Sequence, residues 1–301
     1  MATYANPVKA AELNPTVAYG MIGKTAKTII RGVTGDNRLA ELHRGMIENG
    51  ESVEDVVFGL VEGSALVDTV PGTPFSAPEA TPNVVYFKDW NTVQYATGLT
   101  QRKLRKYLTE GKSVEEVAAI VAGQLAQSAE TDDYENIRDM FLNADVNTTV
   151  VDAYDVGLVN APTTYKGLLK AMKDVVALMK FTNDKCNKAS IKRRTLPEDI
   201  VILMPYKIFN ALEVDELAGV FNLSKAELQE RIILTDSTET AVYLFDKNAV
   251  QVWTRLYEMS EAWDAQQLRM NYFLTTDRLY GISPLYDVVK ITYSIDAVNS
   301  N

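Results

Sequence analysis

Four of the chain's ten prolines fall between residues 70 and 82, in Val70-Pro71-Gly72-Thr73-Pro74-Phe75-Ser76-Ala77-Pro78-Glu79-Ala80-Thr81-Pro82. Proline fixes φ and lacks the N–H that both helices and sheet ladders use, so this stretch can form neither a helix nor an inner strand. Strand-like segments flank it: Ser64 to Thr69 before, then Val84-Val85-Tyr86-Phe87 and Val93 to Thr97 after. The pattern predicts a long two-stranded projection with a Pro-rich tip. A lone hairpin is marginal in water, and its open edge is a ready pairing surface, so such a projection needs something to lie on. Pro71, Thr73, Pro74, Phe75, Pro78 and Pro82 are therefore the expected points of contact with a neighbouring chain.

Helices and strands are mixed in the remainder. Residues 1–20 contain Asn6-Pro7 and Asn14-Pro15 and read as an extended arm. Asp36 to Glu48 reads as a short helix, with Leu39, Leu42 and Met46 on one face. Ser52 then starts a second helix over 52–62, where Val53, Val56, Val57, Leu60 and Val61 form an apolar stripe. Thr100 to Leu108 reads as a short basic helix. Ser113 and Glu116 form a capping box, followed by a stripe of Val114, Val117, Ala118, Val121 and Leu125. The segment Thr131 to Asn143 continues it, for a spine of about 45 Å at 1.5 Å per residue. The openings GESVEDVV and GKSVEEVA look alike over one capped turn, which reads as recurrent helix-start chemistry and not as a repeat.

The clearest helical stripe runs Tyr165, Leu168, Leu169, Met172, Val175, Val176, Met179. Ile200 to Met204 reads as a buried strand, with a helix from Pro205 to about Leu217 and a second capping box at Ser224 and Glu227. Strands are expected after it at Ile232–Leu234, Ala241–Phe245, Val250–Thr254, Leu268–Leu274 and Val288–Ile295. No regular βαβ alternation exists, so the fold class is α+β and not a doubly wound sheet.

Composition sets further bounds. The 301 residues are 47% hydrophobic and 23% charged, enough to build a large core. No apolar run approaches the roughly 18 residues of a membrane span, and MATYANPVKAAEL lacks the basic and apolar regions of a signal peptide. A soluble protein made in a cytoplasm, with no membrane partner, is expected. The net charge of −10 argues against a dedicated nucleic-acid binder, because phosphate affinity needs clustered Lys and Arg. A protein that encloses DNA without gripping it fits this charge.

Catalytic candidates are few. Ala18-Tyr19-Gly20-Met21-Ile22-Gly23-Lys24-Thr25 satisfies a relaxed P-loop pattern with Ala for the first Gly, and Val242 to Asp246 resembles the strand whose Asp would hold Mg²⁺. A P-loop must follow a buried strand so that free amides can wrap phosphate, and Ala11 to Val17 cannot supply one. An NTP-binding enzyme using Lys24, Thr25 and Asp246 is the alternative reading. Cys186 and His43 are single in the chain and have no evident partners in sequence. They read as an incidental thiol and a surface histidine. Asp132, Asp133 and Glu135 point apart on a helix and read as an acidic helix start. Lys192, Arg193 and Arg194 form the compact basic cluster, read either as a solvated loop or as a contact to a neighbouring subunit or to enclosed DNA. No catalytic residue, cofactor or metal is expected.

Three segments carry a family resemblance: EDIVILMPYKIFNALEVDELAG, ERIILTDSTETAVYLFDKNAVQVWTRL and DWNTVQYATGLTQRKLRKYL. With the element order of arm, Pro-tipped projection, spine helix, mixed region and closing strand, the chain resembles the major capsid proteins of tailed bacteriophages. That fold is shared with encapsulins. The resemblance implies an N-terminal arm over 1–45, a peripheral domain with the spine helix over 46–62 and 99–149, and an extended loop over 63–98. It implies an axial domain over 150–265 and a return to the peripheral domain over 266–301. It further implies a structural subunit and not an enzyme, assembling as pentamers and hexamers into an icosahedral head around double-stranded DNA, without sequence-specific binding. A separate scaffolding protein and a portal would be partners, and the virion, assembled in host cytoplasm, the location. An encapsulin-type compartment shell is the cellular alternative.

Overall fold

A computed structural model describes residues 15–32, 41–47, 50–60, 82–157, 160–212, 231–236 and 240–295. The chain divides into two compact units. One comprises residues 1–50, 90–136 and 252–279; the other comprises 51–89, 137–251 and 280–301.

The first unit contains α1 (Pro15–Gly32), β1 (His43–Met46), β4 (Trp90–Thr100), α2 (Gln101–Thr109) and most of α3 (Val114–Leu142). The long strands β9 (Val250–Asp264) and β10 (Arg269–Ile282) complete its four-stranded sheet, ordered β1-β9-β10-β4. β4 and β10 run antiparallel in unbroken register from Thr100↔Arg269 to Trp90↔Leu279. The core sits between sheet and helices: Ala18, Tyr19, Ile22 and Ala26 of α1, Val117, Val121 and Leu125 of α3, and Met259, Tyr272 and Leu274 from the sheet. α3 is one continuous helix of 29 residues, about 44 Å long at 1.5 Å per residue. Its capping box forms as expected: the Glu116 N–H donates to Ser113 Oγ at 3.1 Å, and the Ser113 N–H donates to Glu116 Oε2 at 3.0 Å.

The second unit is built on a five-stranded sheet, β5 (Val151–Asp152), β11 (Val288–Thr292), β8 (Ala241–Asp246), β6 (Ile200–Pro205) and β7 (Ile232–Thr235), in that spatial order. α4 (Tyr165–Lys180) covers it with the predicted stripe, in which Leu168, Leu169, Met172, Val175, Val176 and Met179 are all buried. α5 (Tyr206–Ala211) is a short helix directly after β6. A separate pair, β2 (Val53–Phe58) and β3 (Pro82–Phe87), runs antiparallel with Val56 opposite Val84. The ring of Phe87 packs where a Cβ on Gly281 would stand, so that glycine is required by close approach.

Several local expectations are corrected. Residues 15–20 are helical and not an extended arm: Pro15 is the first residue of α1, where its missing N–H costs nothing. Over its described part, residues 41–47, the expected helix of 36–48 gives way to β1, paired parallel with β9, with Gly45 at φ 138° in an irregular register. Over its described part, the expected helix of 52–62 is replaced by strand β2 at Val53–Phe58. Its valines are β-branched, and Val53 and Val56 find apolar cross-strand partners in Phe87 and Val84, which overrides their chance helical spacing. Asp132, Asp133 and Glu135 lie in mid-helix and mark no helix start. The capping box at Ser224 and Glu227 and the strand-like segment Ser64–Thr69 lie outside the described residues.

Candidate interaction surfaces

The P-loop reading fails on geometry. Residues 18–25 lie inside α1, where backbone amides are committed to the helix and cannot wrap a phosphate. Lys24 is exposed on the helix surface and its carbonyl accepts from Thr28 Oγ1 at 3.1 Å. Gly23 is buried against the Glu261 carboxylate on β9, so it serves packing. Asp246 is equally committed. It is 2% exposed, accepts from Arg193 Nη2 at 2.8 Å, and caps the 3-10 turn after it by accepting from the Asn248 N–H at 2.9 Å.

Arg193 therefore belongs to a buried polar network and not to the surface. Besides Asp246, its guanidinium donates to the Leu285 carbonyl at 3.0 Å and lies 4.2 Å from the Tyr286 ring centroid. Thr195 Oγ1 donates to Asp287 Oδ2 at 2.7 Å, and Asn187 Nδ2 donates to Asp287 Oδ1 at 3.1 Å and to the Ile191 carbonyl at 2.9 Å. Asn183 accepts from the backbone N–H groups of Lys185 and Cys186. The loop from 183 to 195 is thus tied to the turn before β11 by side chains that are themselves buried. Burial raises Asp246 and Asp287 above the usual carboxylate range, opposed by the hydrogen bonds and by Arg193. Cys186 packs in the core of this unit, and burial pushes its thiol up to about 12, a chemically quiet cysteine. Of the three basic candidates, only Lys192 and Arg194 are exposed.

His43 is not a free surface residue. Its Nε2 lies 2.8 Å from Asp133 Oδ2, and Arg278 Nη1 reaches Asp133 Oδ1 at 2.8 Å. A second buried carboxylate in that unit, Asp277, accepts from Arg255 Nε at 2.6 Å and Thr92 Oγ1 at 3.1 Å, with Arg255 stacked 4.5 Å from the Trp90 ring. The first cluster ties the sheet to α3, and the second joins three of its strands. Among the described residues no group of three or more His, Cys, Asp or Glu is placed to hold a metal ion. Among the same residues no helix is long and apolar enough to cross a membrane.

The open surfaces lie elsewhere. On the β2–β3 pair the outward face carries Val56 at 41%, Phe58 at 62% and Tyr86 at 56% exposure, with Val84 beside them. Register places Glu54 opposite Tyr86, Val56 opposite Val84 and Phe58 opposite Pro82, so these side chains form one face. Of the expected tip contacts, Pro82 opens β3, while Pro71, Thr73, Pro74, Phe75 and Pro78 lie outside the described residues. The second open surface is the polar side of α2, where Arg102, Lys103, Arg105 and Lys106 are exposed. The sequence pattern identifies this segment as a basic helix, but the burial of Leu104 is what fixes the side that faces out.

The chain is similar to known proteins along most of its length. A family model described as Phi29-like phage major capsid protein matches residues 18–292. The major capsid protein of Bacillus phage GA-1 is 23% identical over 266 residues, covering 85% of this chain and 56% of that protein. That of Bacillus phage PZA is 22% identical over 269 residues, covering 84% and 58%. The chain thus spans little more than half the length of these relatives. Among solved structures, the capsid of Staphylococcus phage Andhra superimposes with a TM-score of 0.68 at 11% identity, covering 87% of this chain and 85% of that one. The capsid of cyanophage P-SCSP1u gives 0.55 at 12% identity, covering 98% and 93%. A virus-like particle from Pyrococcus furiosus gives 0.52 at 12% identity, covering 90% and 98%. These structural likenesses establish the fold, the mixed α+β capsid architecture.

Proposed function

The chain belongs to the family of Phi29-like phage major capsid proteins, and from that premise we propose that it is a structural subunit that self-assembles into the icosahedral head of a tailed phage around double-stranded DNA. The observation that carries the reading within this molecule is the β2–β3 pair. Two strands alone are marginal in water, and here one face of the pair holds Val56, Phe58, Val84 and Tyr86 open to solvent. A neighbouring subunit that covers this face would supply the missing third layer.

In this reading β2 and β3 are the rising and returning strands of the extended loop, and the Pro71 to Pro82 segment is its tip. α3 is the spine of a peripheral domain and the five-stranded sheet forms an axial domain, with pentamers and hexamers as the capsomers. Lys192 and Arg194 are surface contacts of the axial part, to a neighbouring subunit or to DNA, while Arg193 holds their loop in shape. The protein is not an enzyme in this reading: the buried carboxylates Asp133, Asp246 and Asp287 all have protein partners and serve structure. A separate scaffolding protein and portal, and assembly in host cytoplasm, complete the proposal. Both family relatives are phage proteins, which favours a viral head over an encapsulin-type compartment.

Negative-stain microscopy of the purified full-length protein tests this. Closed particles of uniform size are expected. Phe58→Asp should abolish them while leaving the subunit folded, because a charge at a solvent-exposed site costs the fold under about 1 kcal/mol. A wild-type protein that stays a small monomer under every assembly condition would sink the proposal.

A further inference from the structure

α2 and the turn after it carry a concentrated charge. Residues 101–112 hold five cations, Arg102, Lys103, Arg105, Lys106 and Lys112, against one acid, Glu110. The chain's net charge is −10, so the rest of the chain carries −14. At 100° per residue, Arg105, Arg102, Lys106 and Lys103 span one continuous arc opposite the buried Leu104, and all four are exposed. Among the described residues, Arg102, Lys103 and Arg105 form no ion pair, and Lys106 makes only the exposed pair with Glu110 at 3.7 Å.

This arrangement is unfavourable for an isolated subunit. Arg102 and Lys103 stand in the first helical turn, at the positive end of the macrodipole, where cations are disfavoured. Arg102 with Arg105, Arg102 with Lys106, and Lys103 with Lys106 are like-charge neighbours at i,i+3 or i,i+4. Packing asks only for Leu104 and the half-buried Tyr107 and Leu108. An anionic surface laid over the helix would turn each of these repulsions into an attraction.

We propose that the exposed face of α2 is an electrostatic docking surface for the acidic surface of a second copy of this chain. Charge complementarity selects that occupant. Each copy brings −14 outside its own α2, so pairing α2 with a neighbour offsets the repulsion that subunits of this charge must otherwise overcome. For a nucleic acid, the same −14 repels the phosphates that four cations attract. The inference rests on the shell reading above.

The test uses full-length protein, wild type and the double variant Arg102→Glu/Arg105→Glu, with Arg102→Gln/Arg105→Gln as a milder pair. Assembly is followed by light scattering at about 0.05 M and about 0.5 M salt, across which the screening length shortens severalfold. The wild type should assemble roughly tenfold slower at high salt. The charge-reversed variant, with an unchanged circular dichroism spectrum and Tm, should assemble roughly tenfold slower already at low salt and respond little to more. Carbodiimide crosslinking of particles mixed from isotopically light and heavy chains should join Lys103 or Lys106 to an Asp or Glu of a different copy. Variants that assemble like the wild type, or crosslinks confined to single copies, would overturn the proposal. Normal assembly with lost binding to a short DNA duplex would overturn it in favour of nucleic acid. A wild type that forms no particles at either salt concentration would instead remove the shell reading itself, and this inference with it.

Discussion

Gly50-Glu51-Ser52-Val53-Glu54-Asp55-Val56-Val57 and Gly111-Lys112-Ser113-Val114-Glu115-Glu116-Val117-Ala118 are near copies in sequence and opposites in structure. The first becomes strand β2 and the second opens helix α3. The residues downstream of each opening separate them. After Val117 come Ala118, Ala119, Ile120, Val121, Ala122, the composition of a good helix; after Val56 come Val57, Phe58 and Gly59, which favour extended backbone or break a helix. Tertiary partners then lock each choice. Val53 to Phe58 pair with Pro82 to Phe87, whereas Val117 turns into the core that Tyr272 and Leu274 share. A local motif of one turn is a weak instruction, and the surroundings decide how it is read.

Paired substitutions at equivalent positions should expose that difference. The largest contrast is at Val117 and Val56. Val117 is fully buried, so Val117→Asp should destabilise the fold by more than about 3 kcal/mol. Val56 is 41% exposed, so Val56→Asp should cost under about 1 kcal/mol, and its effect should fall on particle formation. Urea unfolding of the two variants measures both; equal losses would show that β2 is as deeply buried as α3. Next come the serines. Ser113→Ala removes a cap and should cost about 1 kcal/mol, while Ser52→Ala should stay within about 0.5 kcal/mol. A comparable loss at Ser52 in thermal melts would mean that it serves a role the strand geometry does not require. The smallest effect concerns the isolated segments. A peptide of residues 111–127 should show weak helicity by circular dichroism near 0 °C, and one of residues 50–60 none. Helicity in the second would place the decision entirely in tertiary pairing.

The elements legible in the sequence are those whose pattern repeats over several turns or ends in an unmistakable signal. α4 shows seven stripe residues in register, α3 carries its capping box, and β6 to β8 are apolar runs between turns. The misleading ones are short or punctuated. Pro15 looks like a break and is a helix start; four residues of β1 carry too little pattern to outvote Leu39, Leu42 and Met46. The polar clusters are hidden for a different reason. His43 meets Asp133 at a separation of 90 residues, and Arg193 meets Asp246 at 53, so their partners are set by topology and not by any local spacing. Arg193 stands out in sequence because it sits between Lys192 and Arg194, yet it is the member of that trio turned inward. The cations of α2 announce a helix and not a surface, because exposure is a property of the fold.

The position of β11 has a consequence for biosynthesis. It lies between β5 and β8, with Val289 against Val151 on one side and Leu244 on the other. Until residues 288–292 have emerged from the ribosome, β8 has an open edge and β5 has nothing to pair with. The five-stranded sheet therefore cannot close before that strand is made, even though domains ordinarily begin folding during synthesis. A chain released before this strand has an unfinished sheet and exposed core residues such as Val242 and Leu244, a form for proteases and chaperones to intercept. Strand order in space thus sets an order in time: the finished surface of this sheet is withheld from partners until translation has passed β11.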